Sequence, residues 1–286
     1  MKRLLIVLLA LSTIPAFSQK NPTEEAQPIV AEGKRLYRSE MASWYGTDLF
    51  LEKYKDRNMI GGYFSYEENN IPRCIFFSND ETVKVIGTMT FDSTYNTKTA
   101  TVDLTERDFS TVEKDYYELR KSALNIIMGD TMFKTYRNMN LNLIPIINGS
   151  ERKLYILTGT SENGLVIFGN DYLLIFNKNN GLLTKKALHR NIIPVNYGGK
   201  DEESKDLGGT MHTHLPETGD FITATDICTL MLYKKLTNWK QHTVVSEKYL
   251  NIWDCVNDKL VVLPMDAIKK IYKEDEKQDK KKDKKE

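Results

Sequence analysis

His212 and His214 stand one residue apart in a chain that has only four histidines. In a β-strand the side chains at i and i+2 point to the same face. Two imidazoles on one face, joined by a carboxylate from the next element, supply three ligands for a divalent ion and leave a fourth position open. That is the layout of a catalytic zinc site. The carboxylate at hand is Asp226, at the end of Thr223-Ala224-Thr225-Asp226. Thr-x-x-Asp before an apolar run is also a helix-capping pattern, with Thr223 as N-cap and Asp226 in the first turn. Capping and ligation are compatible, so the spacing alone leaves both roles open. Glu217 and Asp220 are further carboxylates in the intervening loop, and His189 and His242 are single histidines at strand ends that could join the site.

Strands on both sides must hold these groups. Gly208 to His214 reads as a strand and Asp226 to Leu236 as a helix, with strands at Gln241–Ser246, Tyr249–Asp254 and Leu260–Leu263. Upstream, Asn142–Ile147, Leu154–Thr158, Leu165–Phe168, Tyr172–Phe176, Leu182–Leu188 and Ile192–Val195 read as strands. Asn179-Asn180-Gly181 is a hairpin turn, and a polar loop covers Asn196 to Leu207. Further upstream the apolar spacing predicts a helix over Ile29–Tyr54, with Gly46 as a break. Four strands follow in a meander: Gly62–Tyr66, Cys74–Ser78, Val83–Phe91 and Thr99–Leu104. Ser110-Thr111-Val112-Glu113 is a capping box that opens an amphipathic helix through Met128. Met132–Met139 extends that helix beyond Gly129, and Asp266–Tyr272 forms a last short helix.

The ends bound the fold. Lys2 and Arg3, the apolar run Leu4–Leu11 and Ala16-Phe17-Ser18 make residues 1–18 a signal peptide. This predicts an exported protein, periplasmic or secreted, with no transmembrane segment after cleavage. Residues 273–286 carry seven lysines and six acids and read as a disordered charged tail. Loss of Lys2 and Arg3 takes the net charge from +1 to −1, so no long-range field attracts nucleic acid. Cys74, Cys228 and Cys255 follow no zinc spacing and read as small buried side chains. The expected organisation is an N-terminal α+β region over 19–140 and a second α+β domain over 141–272. The fold class is α+β: a helix plus antiparallel meander, then a mixed sheet with flanking helices.

The order of strand, H-x-H, polar loop, Thr-x-x-Asp and helix resembles the signature of the JAMM/MPN metallopeptidase family, over roughly residues 150–263. The family carries an upstream Glu, then H-x-H, then Ser-x-x-Asp at a helix start. Here Leu215 stands between His214 and Pro216, and Thr223 takes the serine position. The resemblance implies that His212, His214 and Asp226 bind Zn2+. It further implies that Thr223 supports an oxyanion and that Glu162, in Glu162-Asn163-Gly164-Leu165, is the general base. The implied activity is zinc-dependent hydrolysis of a peptide or isopeptide-like amide in a peptide, protein or cell-wall substrate. The competing expectation is an exported, non-enzymatic binding or envelope-associated protein that keeps the domain without catalysis.

Overall fold

The computed structural model describes residues 21–197 and 208–282. Residues 1–18, read from the sequence as a signal peptide, and most of the loop over Asn196 to Leu207 lie outside the described residues. The architecture is α+β, with five helices and fourteen strands among the described residues.

A first antiparallel sheet runs in the order β1 (Ile60–Glu68), β2 (Ile71–Ser78), β3 (Val85–Thr90), β4 (Thr101–Asp103). This is the expected meander. Asn69 and Asn70 turn β1 into β2 with left-handed backbone, which asparagine tolerates better than most residues. A second antiparallel sheet runs in the order β5 (Met139–Asn148), β6 (Glu151–Thr160), β8 (Tyr172–Phe176), β9 (Leu182–Ala187). Between β6 and β8, β7 (Leu165–Gly169) leaves this sheet and pairs with β10 (Ile192–Asn196). The last sheet is mixed: β11 (Gly209–Thr213) runs parallel to β12 (Gln241–Val245), which continues antiparallel into β13 (Tyr249–Asp254) and β14 (Lys259–Pro264). The parallel pairing needs a crossover, and the helix over Ala224–Thr237 supplies it.

The short α1 (Pro22–Glu25) leads into α2 (Gln27–Lys53), which joins the cores. Its first turns place Val30 with Phe168, Ile227 and Trp253. Leu36 packs with Ile144, Tyr155 and Cys228. Met41, Ala42 and Phe50 pack with Cys74, Phe76 and Met89. Leu36 and Phe50 are fully buried, and each such side chain contributes about 1.5–3 kcal/mol by leaving water. Gly46 does not break α2. A Cβ there would lie 2.6 Å from Cys74 Cβ, so glycine lets the helix lie against β2.

The capping box at Ser110 is formed, with Ser110 N donating to Glu113 Oε2 and Glu113 N donating to Ser110 Oγ, and it opens α3 (Thr111–Met128). The helix stops there; Met132–Met139 does not extend it. Met132 N donates to Asp130 Oδ1, Lys134 N donates to the Tyr172 hydroxyl, and Asn138 is left-handed, so this backbone finds partners outside a helix. Phe133 is thereby tucked into the core beside Tyr172. The crossover helix is α4 (Ala224–Thr237), and α5 (Met265–Lys282) runs ten residues past Tyr272. Lysine, glutamate and glutamine are good helix formers, which suits this continuation. Cys74, Cys228 and Cys255 are buried and unpaired. No helix among the described residues is long and apolar enough to cross a membrane.

Candidate metal centre

β11 presents its residues alternately, so His212 turns inward while Met211 and Thr213 face solvent. His214 continues the same face just beyond the strand, where its backbone N–H donates to Val245 O on β12 at 2.8 Å. Asp226 arrives from the first turn of α4, as the spacing predicts. Thr223 is the N-cap: Asp226 N donates to Thr223 Oγ1 at 3.0 Å, and Thr223 N donates back to Asp226 Oδ2 at 2.9 Å. The Thr223 hydroxyl also donates to Asp226 Oδ2 at 2.7 Å.

A fourth group completes the cluster: His189, just past the end of β9. Its position depends on Gly169, the last residue of β7. Gly169 has φ +79°, and a Cβ there would lie 2.2 Å from Asn191 O and 3.3 Å from His189 Cβ. The chain carrying His189 therefore crosses directly over Gly169. Asn170 N donates to Asn191 O, and Leu188 N donates to Asp171 O, which clamps both sides of the crossing.

The four side chains are buried, with His189 5%, His212 6%, His214 7% and Asp226 1% exposed. His214 Nε2 lies 3.1 Å from His212 Nε2, 3.2 Å from His189 Nε2 and 3.3 Å from Asp226 Oδ2. Asp226 Oδ1 lies 3.5 Å from His189 Nε2 and 3.7 Å from His212 Nε2, and it has no hydrogen-bond partner. An imidazole nitrogen carries one proton or one lone pair, so His214 Nε2 can satisfy only one of its three neighbours by hydrogen bonding. A shared cation satisfies all of them. Zinc–ligand bonds of about 2.0–2.2 Å in a tetrahedron imply ligand–ligand edges of about 3.3–3.6 Å, and the observed separations bracket that range. The residues fit a metal ion, and this cluster could hold one.

Outer contacts orient the ligands. Asp171, buried on the turn between β7 and β8, places Oδ2 3.4 Å from His189 Nδ1. Behind His212, His242 Nε2 lies 2.8 Å from His212 Nδ1, and Thr210 Oγ1 lies 2.7 Å from His242 Nδ1. Phe168 stacks on the His242 ring at 4.8 Å between centroids. Such partners of metal-bound imidazoles fix tautomer and ring orientation.

The charges are tuned accordingly. Burial opposes protonation of His189, but the carboxylates of Asp226 and Asp171 outweigh it and raise its pKa to about 10. Burial opposes ionisation of Asp226 as well, yet His189, His212 and His214 together hold its carboxyl well below the usual range. Burial lowers His212 to about 4 and His242 to about 3, so both stay neutral near pH 7. In the metal-free chain a proton on His189 faces the Asp226 carboxylate, in the place a metal cation takes.

The other candidate groups lie elsewhere. Glu162 sits on an exposed turn between β6 and β7, where its Oε1 accepts from Asn138 Nδ2 at 2.9 Å. It is not among the converging groups. Glu217 is exposed, and Asp220 pairs with Lys248 at 3.0 Å. A groove of about 630 Å³, lined in part by Leu188, Phe221 and Thr223, comes up to residues adjoining the centre. The H-x-H and Thr-x-x-Asp spacings mark three of the four converging groups. His189 has no such local signal; its nearest one is the Gly169-Asn170-Asp171 turn over which it crosses. Searches against protein-family models, curated proteins and solved structures find no match to this chain.

Proposed function

We propose that this chain is an exported zinc-binding protein in which His189, His212, His214 and Asp226 hold the ion as a closed, structural four-ligand centre. The position of His189 carries this reading: it stands at the vertex that a hydrolytic site keeps open for water and substrate. Among the described residues, no carboxylate outside the ligand set is placed to act as base. Glu162 is committed to Asn138 on the surface. Asp171 approaches His189 from Nδ1, the side of the ring away from the cluster, so it orients the imidazole and cannot reach a group beyond Nε2. The Thr223 hydroxyl is already spent on Asp226. Zinc in such a centre supplies cross-linking: it ties the end of β9, the strand β11 and the start of α4 into one unit. This supports the binding or envelope-associated role over amide hydrolysis.

The test is metal analysis and thermal unfolding of the full chain. The expected result is equimolar zinc that a strong chelator removes with a fall in Tm. At a hundredfold excess of metal over its Kd, binding adds about 2.7 kcal/mol, roughly 5–10 °C for a chain of this size. His189→Ala should lose this metal-dependent stability. Zinc absent from protein prepared with added zinc, or a Tm indifferent to metal, would overturn the proposal.

One observation favours the hydrolase reading. The groove of about 630 Å³ reaches Thr223 and Leu188, the neighbours of Asp226 and His189. In that reading zinc supplies Lewis acidity, and His189 has to swing aside to admit substrate. Chelator-sensitive cleavage of peptide or cell-wall peptide substrates that survives His189→Ala would establish it in place of the structural centre.

A further inference from the structure

Glu40, Ser43, Trp44, Thr47 and Asp48 recur along α2 at the i, i+3, i+4, i+7, i+8 spacing of one helix face. On a helix that joins several cores, such a stripe is expected to be apolar. This one is polar apart from Trp44, and it runs from buried Glu40 and Ser43 to exposed Trp44 and Asp48. Across from it stand Tyr63 on β1, Asn142 on β5 and Tyr233 on α4, and between them lies a cleft of about 240 Å³. It is separate from the histidine cluster, none of whose members line it.

Glu40 is the floor of this cleft. It is 9% exposed, and its carboxylate has one weak partner, Asn142 Nδ2 at 3.3 Å. Among the described residues no lysine or arginine pairs with it, and no basic side chain lines the cleft. A buried carboxylate without a cationic or strong hydrogen-bond partner is costly. Asp48 adds a second acid at the exposed rim. The walls are aromatic: Trp44 is 43% exposed and meets Tyr233 edge-on at 6.1 Å, and Tyr63 flanks the carboxylate. Acids below and aromatic faces around are the elements that recognise an organic cation.

We propose that this cleft binds a small primary alkylammonium group, with Glu40 as its anchor, the Asn142 amide oxygen as a second acceptor, and Trp44 and Tyr233 enclosing the alkyl chain. The volume suits a short amine or the end of a lysine side chain. Burial pushes the Glu40 carboxyl up to about 7, against the lowering effect of Asn142. An ammonium ion at the carboxylate favours ionisation, so binding releases a proton near neutral pH and tightens as pH rises toward 8. The other titratable groups facing Glu40 are Asp48 on α2, Tyr63 on β1, Cys74 on β2, and Cys228 and Tyr233 on α4. The two thiols and two tyrosines are all shifted upward by burial, away from this range.

The probe is butylammonium chloride titrated into the full chain, followed by tryptophan fluorescence and calorimetry. Trp239 and Trp253 are buried, so the response reports on Trp44. The expected result is saturable binding that 1-butanol does not reproduce. Glu40→Gln should weaken it at least tenfold. Asp48→Asn, at the exposed rim, should weaken it severalfold with the fold intact, which guards against a folding defect in the first variant. Thermal melts confirm that both variants are folded. No saturable response in the millimolar range, equal binding of 1-butanol, or binding of glucose in place of the amine would each overturn the proposal.

Discussion

His242 Nε2 lies 2.8 Å from His212 Nδ1, and both rings are buried. The contact ties β12 to β11 side chain to side chain, two residues off the backbone register in which Thr210 faces His242 and His212 faces Val244. The low pKa that burial gives His242 keeps it neutral. The chain of bonds is satisfied when His242 Nδ1–H donates to Thr210 Oγ1 and His242 Nε2 accepts from His212 Nδ1–H. His212 Nε2 is then unprotonated and directed at the cluster.

Removing His242 should therefore weaken metal binding without removing a ligand. Loss of such an outer partner typically costs 10–100-fold in metal affinity. His242→Ala is expected in that range by chelator competition. His242→Gln restores an acceptor and should recover part of the loss. An unchanged zinc affinity in His242→Ala would show that His212 is held by packing alone.

The parts of this arrangement that could be read in the sequence are those set by local spacing. His212 and His214 share a face because strands alternate, and Thr223 and Asp226 meet because a capping pattern brings N-cap and first turn together. His189 and His242 were visible only as single histidines. His189 is placed by a chain crossing over Gly169, and His242 by a parallel pairing across a helix-long connection. Both depend on tertiary contacts that leave no periodic trace. The meander, the hairpin at Asn179-Asn180-Gly181 and the last three strands follow their alternation and turn residues closely. Gly46 and Met132–Met139 depart from local expectation for the same reason: their conformation is decided by what they pack against, Cys74 and Tyr172, and not by local propensity.

The crossing at Gly169 gives a second prediction. Gly169→Ala adds a Cβ to left-handed backbone and drives it into Asn191 O at 2.2 Å, so the His189 segment must move. Gly46→Ala crowds Cys74 instead, at 2.6 Å, on the sheet remote from the metal ligands. Overpacking of this kind costs about 1–3 kcal/mol, and both variants should lose Tm. Only Gly169→Ala should also lose zinc affinity. If Gly46→Ala loses metal equally, the centre is responding to global stability and not to the position of His189.

Glu40 predicts a pH dependence of stability. Its pKa rises from 4.5 to about 7 on folding, through burial. Below pH 4.5 both states hold the proton. Between 4.5 and 7 the unfolded chain releases it while the folded chain keeps it, so stability falls as pH rises, and above 7 the loss is complete. The full loss is about 3 kcal/mol at most. Urea unfolding of wild type and Glu40→Gln across pH 4 to 8 should show the two curves separating through this window, with the wild type losing ground. Parallel curves would mean that Glu40 is solvated or already ionised in the folded protein.

Thr223 separates the two readings of the centre most directly. Its backbone N–H and its hydroxyl both donate to Asp226 Oδ2, which leaves Oδ1 as the free ligand atom. A single carboxylate thus caps α4 through Oδ2, which also lies 3.3 Å from His214 Nε2, and turns its unpartnered Oδ1 toward His189 and His212. Thr223→Val removes the hydroxyl at nearly constant shape. It should cost about 1 kcal/mol through the lost cap and lower zinc affinity further, because Asp226 is no longer held in its rotamer. Thr223→Ser keeps the hydroxyl and should retain both properties. Zinc affinity and the urea midpoint, measured on the three proteins, check this. A Thr223→Val protein that binds zinc normally but loses amide-cleaving activity would place the hydroxyl on a substrate oxyanion. The structural reading would then give way to the hydrolytic one.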